Sequence, residues 1–173
     1  NNVAGTNTLG VFELNNGSLA FAQNSGSLVF ENNTTVMYIY GSNTVNLDFK
    51  NLKSLSFIDN KATRDTGGIH AVAADGVTIA FGDNVLFSGS IAGHNAGIDA
   101  NYNGGALSLG STNGNVNLSF GNNAELSGNQ ALNYHSRGGS IFITAQSGNI
   151  NISFGSSAVL RGNEAAGQGG AIV

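Results

Sequence analysis

Gly104-Gly105-Ala106-Leu107-Ser108-Leu109, Val116-Asn117-Leu118-Ser119-Phe120-Gly121 and Ala124-Glu125-Leu126-Ser127-Gly128-Asn129 form one block of the chain. It returns as Gly138-Gly139-Ser140-Ile141-Phe142-Ile143, Ile150-Asn151-Ile152-Ser153-Phe154-Gly155 and Ala158-Val159-Leu160-Arg161-Gly162-Asn163. Every segment alternates apolar with polar residues, the period of a half-buried strand. The offset from Phe120 to Phe154 is 34 residues, within the range of repeats that stack in arrays. This stretch predicts an all-β fold, a right-handed parallel β-helix (β-solenoid) with three strands per coil and about five coils.

Outward from that pair, the same three-part pattern predicts strands near residues 11–14, 18–22 and 27–31, then 36–40, 45–49 and 54–58, then 68–73, 77–81 and 85–88. Residues 169–173 open a sixth coil. The alignment sets Phe21, Phe49, Phe81, Phe120 and Phe154 in one column and Phe30, Phe57, Phe87, Leu126 and Leu160 in another. One coil cannot offset the entropy of ordering its own backbone, so neighbours must supply pairing and stacked side chains. A sandwich of hairpins would use Asn16-Gly17, Asp75-Gly76 and Asn113-Gly114 as tight turns, but it gives no reason for three-part repeats with identical columns. Residues 1–173 read as a single segment, a fragment of a longer protein.

Two motifs punctuate the repeats. Gly-Gly pairs at Gly67-Gly68, Gly104-Gly105, Gly138-Gly139 and Gly169-Gly170 suit sharp corners and close backbone approach. An Asn follows a buried Phe by three residues at Asn24, Asn33, Asn60, Asn84 and Asn123, and follows Leu at Asn129 and Asn163. Asn accepts left-handed backbone, and stacked amides can bond one another as a ladder. His70 falls by alternation in phase with Leu107 and Ile141, which would bury it; a bulge would place Ile69 inside instead.

The composition fits this reading: 26 Gly, no Pro or Cys, 40% hydrophobic and 9% charged residues. A net charge of −4 gives no footing for nucleic acid, which selects basic patches. The basic group Lys50, Lys53, Lys61 and Arg64 is interleaved with Asp48, Asp59 and Asp65, as on a solvated mixed face. No apolar run is long enough to span a membrane, so this segment is not expected to insert. The acids scatter over different strands and turns; Asp65 and Asp99 alone share an edge, so no catalytic residue is assigned. No metal or cofactor site is expected.

Length varies between the third strand and the next Gly-Gly, at residues 61–66, 91–103, 130–137 and 164–168. In a stacked array such insertions emerge on one edge. That edge gathers Arg64, Asp65, His94, Asp99, Tyr102, Tyr134, His135 and Arg137, with the Tyr and Arg that anchor many binding surfaces. These are the candidate partner-binding residues.

Gly-Gly-Ala-[Ile/Leu/Val], intact at Gly104-Gly105-Ala106-Leu107 and Gly169-Gly170-Ala171-Ile172, occurs together with Phe-x-x-Asn. The combination resembles the passenger domains of the chlamydial polymorphic outer membrane proteins, which are autotransporter adhesins. The family's translocator barrel is missing here, as are the Cys residues its passengers often carry. The resemblance implies an extracellular parallel β-helix displayed on a bacterial outer membrane, binding a cell-surface protein or glycan receptor. The other readings are a structural spacer, a fibre subunit associating end to end or by its edges, and a polysaccharide-degrading enzyme.

Overall fold

The computed structural model describes residues 12–23, 25–34, 36–63, 66–94 and 102–173. Sixteen strands run through them: β1 Phe12–Ala20, β2 Ser25–Glu31, β3 Met37–Phe49, β4 Leu52–Ile58, β5 Ile69–Ala73, β6 Gly76–Phe81, β7 Val85–Ser88 and β8 Ile91–Ala92. They continue as β9 Leu107–Ser111, β10 Val116–Phe120, β11 Glu125–Ser127, β12 Gln130–Ala131, β13 Ile141–Ala145, β14 Ile150–Phe154, β15 Val159–Arg161 and β16 Glu164–Ala165. All pairings between them are parallel.

The expected solenoid with three separate strands per coil is corrected by the sheet order. Eight strands share one sheet, ordered β13-β9-β5-β3-β6-β10-β14, with β1 also on β3. β3 is unbroken across the point where two strands were expected, and the sheet forks from it. Its first half pairs with β5 and its second with β6. Short turns join β5 to β6, β9 to β10 and β13 to β14, so the two wings meet again and the sheet is nearly closed, like a barrel. Beside it lie a five-stranded sheet, β15-β11-β7-β4-β2, and a three-stranded one, β16-β12-β8.

The physical reason lies in two short stretches. Gly41-Ser42-Asn43-Thr44 looks like a turn and does bend the chain, for a Cβ on Gly41 would lie 2.8 Å from Val45 Cγ2, yet it remains part of one strand, β3. With no proline in it, nothing there denies the backbone a ladder hydrogen bond. Later repeats gain a fourth strand instead, because Ile91–Ala92, Gln130–Ala131 and Glu164–Ala165 pair in register.

Alternation along each strand sends one face inward. Val45, Leu47 and Phe49 pair with Val77, Ile79 and Phe81, all buried. Phe21, Phe49, Phe81, Phe120 and Phe154 stand in one column with neighbouring centroids 5.6, 5.4, 4.9 and 4.9 Å apart. Phe30, Phe57 and Phe87 form a second, at 5.0 and 4.5 Å. Phe81 meets Phe87 edge-on at 5.6 Å and links the columns. Each such pair adds about 0.5–1.5 kcal/mol beyond the area it buries.

His70 points away from this core, and no bulge is needed. Ile69 is in register with Leu107, and Leu107 with Ile141; all three are buried. The Gly-Gly pair at 67–68 sits one residue out of step with that at 104–105, for Gly67 N donates to Gly105 O and Ile69 N to Ala106 O. Thr66 therefore stands where Gly104 does. At Gly104 φ is +69°, and a Cβ would collide with the carbonyl of Leu107; on Gly105 it would overlap that of Gly139. Gly138-Gly139 and Gly169-Gly170 continue the same corner, with φ +64° at Gly138 and +65° at Gly169.

The structure places the motif asparagines in two settings; Asn24 lies outside the described residues. Asn33, Asn60 and Asn129 are buried and Asn163 is half-buried. In this column Asn33 Nδ2 donates to Asn60 Oδ1 at 2.9 Å, and Asn129 Nδ2 to Asn163 Oδ1 at 3.1 Å. Each amide also caps a strand end in the preceding repeat: Asn60 Nδ2 donates to Phe30 O, Asn129 Nδ2 to Phe87 O and Asn163 Nδ2 to Leu126 O. Ser90 takes the third of the column's five places, between Asn60 and Asn129, and among the described residues its buried Oγ has no hydrogen-bond partner. Asn84 and Asn123 are exposed corner residues with φ of 58° and 57°.

Candidate functional site

The variable segments do lie beside one another, because β8, β12 and β16 begin three of them and pair in register. Lys61 extends this row by a bridge to Ile91. Arg64, Asp65 and Asp99 lie outside the described residues. His94 is half-buried, and its backbone N donates to Ala62 O at 2.7 Å. Tyr102 is half-buried too; its N donates to Ser136 Oγ at 3.1 Å.

Tyr134, His135 and Arg137 come together. They sit on and beside a tight turn over residues 133–136, closed by Ser136 N donating to Asn133 O at 2.7 Å. The base of the turn is fixed. Ser136 is fully buried, Asn133 is nearly so, and Ser136 O accepts from Gly167 N at 3.0 Å. Polar groups buried and bonded in this way resist movement. On top of the turn Tyr134 is 72% exposed, and its ring meets His135 edge-on at 4.8 Å. Arg137 is held through its backbone, whose N donates to Asn103 Oδ1 at 2.8 Å, which leaves the exposed guanidinium to solvent. With Ala166, Gly167 and Gln168 these three residues line a groove of about 330 Å³.

The other surfaces are less organised. Lys50 Nζ lies 3.3 Å from Asp48 Oδ2, both well exposed, which is a solvated pair rather than a basic patch. On the five-stranded sheet, the hydrogen bond from Arg161 at 2.7 Å holds the Glu125 carboxyl below the usual carboxylate range. Among the described residues no group of three or more His, Asp and Glu is placed to hold a metal ion.

The sequence reading missed the outer face of the eight-stranded sheet. There Tyr38 stacks on His70, centroids 4.9 Å apart and planes 12° from parallel. Phe142 stands two strands further on, in register with Ser108 and so with His70. The signal was the outward phase of alternation, Tyr38-x-Tyr40, His70-x-Val72 and Phe142-x-Thr144, which was read only for its inward partners.

No family model, curated protein or solved structure matches this chain. The comparisons thus bring no support to an adhesin or autotransporter assignment, and the β-helix that the resemblance implied is replaced by the forked sheet described above.

Proposed function

We propose that this chain is a non-catalytic binding segment, displayed outside the cell, which engages a protein on another cell's surface through the Tyr134–His135–Arg137 edge. The observation that carries the reading is the 72% exposure of Tyr134 on a turn whose base is buried and hydrogen-bonded. A large exposed aromatic costs little entropy to immobilise when its backbone is already fixed, and Tyr with Arg forms the usual centre of a protein interface. The sequence resemblance to adhesin passengers supports the same role.

The test is attachment of the purified chain to cultured cells, with Tyr134→Ala and Arg137→Ala combined. Binding should fall at least about tenfold, the loss expected when anchor residues are truncated. Unchanged attachment by the folded double variant would reject this edge as the contact surface.

A further inference from the structure

The outer face of the eight-stranded sheet carries a notch separate from that edge. β9 presents Ser108 and Gly110 outward, and the strands on either side present larger groups. In register with Ser108 stand His70 and Phe142; in register with Gly110 stand Val72 and Thr144. The short side chain of Ser108 and the bare Gly110 leave a cavity of about 230 Å³, to which Asn103, Thr112 and Gln146 also contribute. Ser108 is only 8% exposed and lines this space.

We infer that this notch binds one ring of a neutral carbohydrate. Three features select that class. First, none of the lining side chains is a carboxylate, ammonium or guanidinium, so apart from the imidazole of His70 no group there can meet a charged ligand with opposite charge. Second, the amides of Asn103 and Gln146 and the hydroxyls of Ser108 and Thr144 both donate and accept, which suits a ligand bearing many hydroxyls. Third, strands lie about 4.8 Å apart, so His70 and Phe142 are separated by roughly 9–10 Å across β9. A flat aromatic ring sandwiched at contact distance would need about 7–8 Å and would fit loosely; a puckered pyranose is thicker and fills the gap, its C–H faces against the two rings. The small volume, below that of drug-sized pockets, limits the site to a terminal or single residue. This inference does not depend on the Tyr134 edge.

The probes are cellobiose, lactose and chitobiose, with sialyllactose as an anionic counterpart, titrated into the isotope-labelled chain and followed by backbone amide shifts. At least one neutral disaccharide should shift the Ser108, Gly110 and Phe142 amides saturably, and sialyllactose should do no better than lactose. Gly110→Val fills the notch, and Phe142→Ala removes a wall that lies outside the core; each should weaken binding about tenfold or more with the amide spectrum elsewhere unchanged. Should Gly110→Val disturb the fold, Phe142→Ala decides. No shift with any neutral sugar up to tens of millimolar, stronger binding of the sialylated probe, or full binding by folded Phe142→Ala would each overturn the proposal.

Discussion

Asn129 and Asn123 are six residues apart and stand at the same point of the same motif, three residues past a buried Leu126 or Phe120, yet they do different work. Asn129 is fully buried, accepts from Ser90 N at 3.0 Å and donates to Phe87 O at 3.0 Å. Asn123 is exposed, with φ of 57°, and its amide reaches Asn84 Oδ1 at 3.1 Å in open solvent. One residue is needed for its side chain, the other for its tolerance of a backbone angle. The residue before each member of the inner column takes over the left-handed role: Asn32, Asp59, Gly128 and Gly162 before Asn, and Gly89 before Ser90, all have positive φ. A four-letter motif therefore encodes two corners, distinguished by which residue bends.

Substitution separates the two corners. Asn129→Ala removes the partner of a buried N–H and of a buried carbonyl, and should destabilise by about 2–4 kcal/mol in urea unfolding. A loss below about 1 kcal/mol would mean that the column is decorative. Asn123→Ala should cost only about 1 kcal/mol, because the left-handed region is less favourable for Ala than for Asn. Asn123→Gly, which relieves that penalty, should lie within about 0.5 kcal/mol of the parent; a large loss with Gly would show that the Asn84 contact matters after all. Ser90→Asn sharpens the comparison from the other side. It restores the amide at the one interruption between Asn60 and Asn129, and should raise stability by about 1 kcal/mol. A decrease would show that the site has closed around the smaller serine.

Parallel pairing and the aromatic columns were legible in the sequence because alternation fixes which face is buried, and a constant offset fixes which residues meet. Strand count was not. Gly41-Ser42-Asn43-Thr44 has turn chemistry, but Gly41 is buried inside β3, where an added Cβ would come within 2.8 Å of Val45 Cγ2. Glycine there makes room for a bend that the strand runs through, so turn residues alone did not tell one strand from two. Two-residue strands such as Ile91–Ala92 are too short to show any period. The Gly67-Gly68 register failed because two adjacent glycines look alike wherever the pair begins. At the loop edge, variable length singled out Tyr134, His135 and Arg137, while the notch at Ser108 escaped notice. Outward positions follow no apolar rule, and a gap made by small residues shows only once its taller neighbours are placed around it.

The unbroken course of β3 also sets where the molecule gives way under load. Beyond it, each repeat crosses from one wing to the other through an exposed turn, such as residues 146–149 between β13 and β14. Those repeats can be peeled away singly from the distal side, each releasing its own ladder of hydrogen bonds. Peeling ends at β3, whose 13 residues tie both wings within one strand. Tension on the chain would therefore be relieved in steps until it reached that strand, which can yield only by losing both wings at once.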